Sequence, residues 1–432
     1  MNLRATVTLV FGMFCAGLAQ DSSATQEVAI PTALDSAVMQ VQPDTAGSPE
    51  STASTEESAV SESVEGNNVA ENNVAATADC NEAETPYNLP CELMPLWNSM
   101  TIKQKAAQMV MVYMTPADFM LKHEFGGYLV MKNHLKDLEK FKKNIETVNR
   151  EMKIPPVVAV DQEGGRVNRI GNIDPKWERT PSAKAMRKMS EDSIRNIAAQ
   201  IGQELHKLGI NMNLAPVLDP SKDSRGKQSF MEESHRSWGF DTTNAPKVRA
   251  FVQGMRESGI ICVSKHFPGY DSWTNSDHQI AISATPKKSI SKNIAFFKTL
   301  ANDIPVTMMS SVRFVRVSNR PAVFEPQIVK RARMMSPETV ILTDDLWGVS
   351  LRAWISGTER VKGKNYPAKD FKKLVQTALT SGNDMFMTTF PKKGVDMINY
   401  LSVMALQNAK YRKRVEESCA RILKMKHKAG LI

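Results

Sequence analysis

Gly259-Ile260-Ile261-Cys262-Val263-Ser264-Lys265-His266-Phe267-Pro268-Gly269 is the stretch that decides the fold, with Ser276-Asp277-His278 following at loop distance. Residues 259–264 are a short apolar run, partly β-branched, and read as a buried strand. A cation and an imidazole then stand at its C-terminal end, and Pro268-Gly269 forces a turn. Polar groups gathered where a buried strand ends are the pattern of an α/β active-site face. Either histidine alone is better explained by a basic strand end and a stray loop residue. The other strand ends decide between these readings.

Working outward, apolar strand-like runs alternate with helical stretches over the whole body. Strands are predicted at 126–131, 156–160, 210–215, 306–310, 340–343 and 385–388. Helices are predicted at 101–112, 135–152, 190–208, 243–258, 290–302, 326–333, 370–381, 394–408 and 411–428. Repeated strand–helix alternation means a parallel sheet. Seven or eight units in this length fit a closed (β/α)8 TIM-type barrel. An open doubly wound sheet is the rival and would call for a phosphate loop, but Gly164-Gly165 is no G-x-G-x-x-G.

In a barrel the strand ends converge on one face. After Val160 come Asp161-Gln162-Glu163-Gly164-Gly165-Arg166-Val167-Asn168-Arg169, and after Leu214 come Ala215-Pro216-Val217-Leu218-Asp219. His235-Arg236-Ser237-Trp238 lies a little beyond, Thr343-Asp344-Asp345-Leu346 follows Leu342, and Asp384 precedes Met385. Carboxylates, fixed cations, an imidazole and aromatic rings in one pocket suit a polyhydroxylated ligand such as a sugar. Singly, each motif is better explained by a cap, an ion pair or packing (Trp238 in particular). Their convergence carries the argument.

The flanks of this body differ sharply from it. Arg4, the apolar run 5–14 and Ala16-Gly17-Leu18-Ala19 form a secretory signal pattern, with cleavage expected after Ala19 and a signal peptide at 1–19. Cys15 offers lipoprotein processing as an alternative, but Gly12-Met13-Phe14 is a poor match for it. Residues 20–90 read as a disordered acidic Ser/Thr/Glu-rich linker, too poor in apolar surface to offset ordering entropy. The chain holds 55 basic and 46 acidic residues; Arg4 and fourteen acids precede residue 101, leaving 54 bases against 32 acids, or +22, for 101–432. Such a body suits an anionic surface, or simply a solvated lysine-rich one. Cys80 and Cys91 lie close enough to bridge in an oxidising compartment. Cys262 reads as a buried thiol and Cys419 as a helical one. No cysteine or histidine spacing suggests a metal, and no long apolar span follows the signal.

At this point the chain resembles a known family. Asp161-Gln162-Glu163-Gly164-Gly165-Arg166-Val167, Asn213-Leu214-Ala215-Pro216-Val217-Leu218-Asp219, Lys265-His266-Phe267-Pro268-Gly269 and Thr343-Asp344-Asp345-Leu346 look like the successive signatures of glycoside hydrolase family 3. More narrowly they are similar to its single-domain β-N-acetylglucosaminidases, from about Leu93 to the C-terminus. The resemblance implies a barrel domain over 91–432 and a retaining mechanism with a glycosyl-enzyme intermediate. It makes Asp344 the nucleophile; by chemistry alone Asp345 is its rival, and alternation along a strand lets one of the two enter the pocket. It makes His278 the acid/base, a residue able to give and take a proton near neutrality. Asp161, Arg169, Arg236, Lys265 and His266 would bind the N-acetylglucosamine hydroxyls. The implied partner is a GlcNAc-containing saccharide from peptidoglycan or chitin, with an anionic cell-wall surface as a second partner. No nucleic acid, cofactor or metal is implied. The location would be secreted or periplasmic.

One departure stands out. The family carries Asp-Ser-His on the loop after Lys265-His266, where the Asp holds and polarises the His. This chain has Ser276-Asp277-His278, with the carboxylate moved by one residue, and Tyr270-Asp271 in place of His-Gly. A serine cannot stabilise an imidazolium as a carboxylate does. Asp277 and Asp271 are the candidate replacements for the orienting carboxylate. Two alternatives follow: a catalytically impaired saccharide-binding protein on the same barrel, and a β-glucosidase of the family. The latter would draw its acid/base from a second domain.

Overall fold

Eight short parallel strands follow one another around a single ring in the computed structural model of the chain, which describes residues 80–432 apart from 360, 362 and 364. They are β1 (Val110–Tyr113), β2 (Gly127–Val130), β3 (Val157–Val160), β4 (Met212–Asn213), β5 (Ile261–Phe267), β6 (Val306–Met309), β7 (Val340–Leu342) and β8 (Phe386–Thr388). β1 pairs with both β2 and β8, and a parallel bridge between Leu342 and Met385 closes the ring between β7 and β8. This is a (β/α)8 TIM-type barrel. The strands are apolar on both faces because one face fills the barrel and the other meets helices. Every residue of β2, β3, β5, β6, β7 and β8 is buried.

The first strand departs from the sequence reading. The helix expected over 101–112 is α1 (Ile102–Gln108), and its last predicted turn is instead β1. Met109, Val110 and Val112 are all fully buried, so they satisfy a helical stripe as readily as a strand. Periodicity could not separate two elements joined by one residue. Further features had no signal, among them helices at Ala117–His123 and Val349–Ser356 and a two-stranded ribbon pairing Ile282–Ser283 with Arg313–Phe314 outside the barrel.

Around the ring, α2 (Glu191–Lys207) packs against α3 (Ala245–Glu257) especially closely. A Cβ on Gly254 would meet the Arg195 carbonyl oxygen at 2.3 Å, so only glycine permits this approach. The C-terminal helix α4 (Ala409–Lys428) covers the end of the barrel where the strands begin. Asp384 sits there, fully buried, accepting from Arg421 and Ser418, each at 3.0 Å, and from Arg333. Counted from sequence among the pocket-side strand ends, Asp384 in fact precedes its strand and lies on the opposite end of the barrel.

Residues 80–90, read from composition as the end of the acidic linker, are folded onto the body. Three short 3-10 turns run from Glu82 to Leu93, and a Cys80–Cys91 disulfide closes them with a Cα separation of 6.0 Å. Leu89 is buried in a small cluster with Trp97, Cys419 and Leu423. Cys262 and Cys419 are buried free thiols. The signal pattern at 1–19, Cys15 and the linker at 20–79 lie outside the described residues. Among the described residues no helix is long and apolar enough to cross a membrane.

Candidate active site

The site is built from the ends of β3, β4, β5 and β7. Beyond β3 the chain reverses through Gly164 and Gly165, both at positive φ (83° and 59°). A Cβ on Gly164 would stand 2.1 Å from the Pro181 oxygen. The Glu163 and Gly164 amides both donate to the Val167 carbonyl, at 2.9 and 3.1 Å, which fixes this turn. It presents Asp161 and Glu163 toward the end of β5.

Glu163 is the hub of the pocket. Arg236 donates to both of its oxygens, at 2.8 and 2.9 Å, and Lys265 Nζ approaches at 2.6 Å. Lys265 also donates to Asp161 at 2.7 Å. Burial alone would push the Glu163 carboxyl up, but the charges of Arg236 and Lys265 outweigh it and hold the group far below the usual carboxylate range. Burial likewise opposes the charge on Lys265, and Asp161 and Glu163 reverse that, raising its pKa. Two cations are thus fixed in a buried site by two carboxylates, and Asp161 keeps part of its surface open to the mouth of the barrel. Glu163 was not among the expected site residues. Its signal was the acid two positions after Asp161, at a strand end rich in glycine.

His266 is oriented by Asp219. Its Nδ1 lies 2.7 Å from Asp219 Oδ2, while Asp219 Oδ1 accepts from the His266 and Tyr270 amides, at 2.9 and 2.6 Å. The fully buried Asp219 therefore sets both the imidazole and the start of the next loop. The Lys265–His266 and Phe267–Pro268 peptide bonds are cis.

Asp344 and Asp345 separate cleanly. Asp345 accepts from the Trp347 amide at 2.9 Å and from the Thr389 amide and hydroxyl at 3.0 and 2.7 Å. Its oxygens are occupied in tying β7 to β8, and burial first, with the neighbouring Asp344 charge, pushes its carboxyl up to about 6. Asp344 accepts from Ser311 Oγ at 2.7 Å and from the Asp345 amide at 2.8 Å. It is polarised from below and free above. Tyr113, at the end of β1, lines the same mouth. Burial and then the charges of Asp345 and Asp161 push its phenol up to about 12, with Arg169 opposing. Arg169 has its Nε buried without a hydrogen-bond partner among the described residues.

The loop after β5 is built on other principles. Tyr270 is buried, and its hydroxyl donates to the Thr274 carbonyl at 2.5 Å and accepts from the Ser276 amide at 2.8 Å. The loop is curled around this phenol, whose ring packs 5.8 Å from that of His266. Asp271 is turned away. It is buried against Thr285, and burial pushes its carboxyl up to about 6. Asp271 therefore does not orient His278. Asp277 and His278 both stand exposed at the rim. Although Asp277 as a whole residue is exposed, desolvation of its carboxyl first, and then the Asp344 charge, push that carboxyl up. Ser276 is held through its backbone. Among the described residues the His278 imidazole has no hydrogen-bond partner.

A barrel whose strand ends gather a polarised carboxylate, a second acid and fixed cations around an open mouth defines a glycoside hydrolase in class. The sequence profile described as the glycosyl hydrolase family 3 N-terminal domain matches residues 101–425, so the chain belongs to that family. A β-hexosaminidase of Glaesserella parasuis is 25% identical over 303 residues, 68% of this chain and 80% of the relative. The β-hexosaminidase LpqI of Mycobacterium tuberculosis is 29% identical over 162 residues, 36% of this chain and 39% of the relative's length. The crystal structure of a β-N-acetylhexosaminidase from Beutenbergia cavernae superposes with a TM-score of 0.65 at 22% identity, covering 76% of this chain and 99% of that one.

Proposed function

We propose that the chain is a retaining β-N-acetylhexosaminidase that removes terminal β-linked N-acetylglucosamine from peptidoglycan- or chitin-derived saccharides. The observation that carries this reading is the pose of Asp344, held by Ser311 and its neighbouring amide with one side open to the pocket. In the first step an Asp344 oxygen bonds to the anomeric carbon, the glycosidic C–O bond breaks, and the leaving oxygen takes a proton from His278. In the second, His278 accepts a proton from water, whose oxygen displaces Asp344. Asp161, Lys265, Arg236, Arg169 and His266 hold the sugar hydroxyls, and Glu163 keeps the two buried cations in place. The names of the curated relatives support the sugar. The Cys80–Cys91 bridge supports an exported, oxidising location, secreted or periplasmic. The net +22 of residues 101–432 supports an anionic wall surface as a second partner.

A second reading is favoured by one observation: among the described residues the His278 imidazole has no hydrogen-bond partner to orient it, and on this reading the chain binds saccharide with little turnover. The test is hydrolysis of chromogenic β-N-acetylglucosaminide and β-glucoside by the protein and its Asp344→Asn variant. Cleavage of the acetylated sugar alone, abolished in the variant, is expected. Saccharide binding without turnover would establish the second reading.

A further inference from the structure

Trp273 stands apart from every other aromatic residue among those described. It is 56% exposed, while Trp97 and Trp238 are buried. Its setting is not that of a loose tip. The preceding residue, Ser272, accepts through its carbonyl from the Phe230 amide at 3.1 Å, and its hydroxyl accepts from the Thr274 amide at 3.2 Å. Tyr270 grips Thr274 from below. The indole is therefore mounted on a turn pinned on both flanks. Beside it, the Arg225 guanidinium lies over the ring, 5.0 Å from its centroid. Arg225 is itself clamped by the buried Asp223, at 2.8 Å from Nε and 2.6 Å from Nη2. One indole face is thus backed by a fixed planar cation, and the other is left to solvent.

This open face sits on the loop that carries Asp277 and His278, at the rim between the loops leaving β4 and β5. A rigid exposed indole presents a flat, electron-rich surface, which matches the apolar C–H face of a pyranose ring. Its rigidity means that little conformational entropy is lost when a ring docks on it. The N-acetylglucosamine pocket lies deeper, among Asp161, Lys265 and Arg236. The ring that would reach Trp273 is therefore the next one along the chain, on the leaving-group side.

We propose that Trp273, backed by Arg225, is the platform of a leaving-group subsite that stacks the second pyranose ring of a β-linked oligosaccharide. The proposal rests on the hexosaminidase reading and adds to it a preference for a sugar, rather than a small alcohol, as leaving group. The shared chemistry is a pyranose ring, whether N-acetylglucosamine of a chitin fragment or the anionic acetylmuramyl ring of a wall fragment.

The full chain and its Trp273→Ala and Trp273→Phe variants are compared on chitobiose, a GlcNAc–acetylmuramyl disaccharide and methyl β-N-acetylglucosaminide. The methyl leaving group, like a sugar, leaves only when protonated but has no ring, and comparing each variant's ratio with the parent's cancels the difference in leaving-group basicity. The ratio of kcat/KM for disaccharide over methyl glycoside is expected to fall about tenfold in W273A and to recover largely in W273F. A fall with both disaccharides marks ring stacking in general, and a fall with one alone names the source. An unchanged ratio for both overturns the proposal. Should the parent protein turn over none of the three, the hexosaminidase reading fails by itself. Quenching of tryptophan fluorescence by chitobiose, present in the parent and lost in W273A, then decides the platform separately; no quenching in the parent overturns it.

Discussion

The strand-end side of the pocket and the loop after β5 meet over the same substrate space but are held in opposite ways. On the strand side, Glu163, Arg236, Lys265, Asp161, Asp219 and His266 are locked by charge-assisted bonds of 2.6 to 2.9 Å, most of them buried. On the loop side, position depends on neutral hydrogen bonds to one phenol, and the His278 imidazole is held by no hydrogen bond among the described residues. The difference teaches where chemistry has been fixed and where it can be tuned. Buried charge pairs leave no room for substitution, because each partner would strand the other. A loop wrapped on a tyrosine can shift a carboxylate by one residue and still keep its shape.

The sharpest way to break this contrast is Glu163→Ala. Removing it leaves Lys265 and Arg236 buried without their shared partner, with Asp161 and Asp219 as the remaining counter-charges, which should cost on the order of 3–5 kcal/mol of stability. Denaturant unfolding measures it, and activity should vanish with it. A loss below about 1 kcal/mol would show that the cations are solvated and that the strand side is no more rigid than the loop.

His278→Ala comes next and acts on chemistry alone. The exposed imidazole holds nothing in place, so unfolding should stay within about 0.5 kcal/mol of the parent. Turnover of a poor leaving group should fall roughly 10²- to 10⁴-fold, and that of a nitrophenyl leaving group much less. Equal losses on both would mean that His278 gives no proton to the leaving oxygen. Asp277, whose carboxyl is raised by desolvation and by the Asp344 charge, would then be the group to replace next.

Tyr270→Phe sharpens the comparison with a smaller effect. The ring and its packing on His266 survive, but the Thr274 carbonyl and the Ser276 amide lose their common partner. About a tenfold drop in kcat on poor leaving groups is expected, with KM little changed, as for a loop released from a bond worth about 1–2 kcal/mol. Were good and poor leaving groups affected alike, the phenol would be supporting His266 and the strand side instead.

What the sequence made legible follows the same division. Residues on strand ends were readable because a strand fixes where its last side chain goes. Asp161, Lys265 and His266 accordingly fall together, and Arg236, carried on the long loop after β4, joins them through Glu163. Glu163 was legible as a type but not as a hub, since a carboxylate's partners come from strands far apart in the chain. The loop defeated sequence reading for a physical reason: its shape is set by Tyr270, whose value lies in two backbone contacts that no spacing rule reports. Asp271, two residues beyond the glycine turn, reads as an available acid yet is buried on Thr285. The β1 strand was lost to the preceding helix because Met109 and Val110 continue that helix's apolar stripe from Ile102 and Ala106, and Asp384 was placed at the wrong end because the residue before a strand was taken with those after it.

The last prediction concerns Asp345, which belongs to neither side. Its carboxyl is raised to about 6, so protonation is favoured in the folded state over the unfolded one, where an aspartate titrates near 4. Its contribution to stability is therefore fully present below about pH 4, declines as pH rises through about 6, and is constant above that. Glu163 has the opposite sign: its contribution is present above the unfolded glutamate range and is lost only in strong acid. Asp345→Asn can still accept from the Trp347 and Thr389 amides, and its new amide can donate to the Thr389 hydroxyl. The stability difference between variant and parent should hence grow in favour of the variant between pH 4 and 6 and stay flat from 6 to 8. Unfolding midpoints at each pH measure it directly. A difference that is flat throughout would mean that Asp345 titrates like a solvated acid. The bridge from β7 to β8 would then have to be assigned to Thr343 and Thr389 rather than to a carboxylate held against its charge.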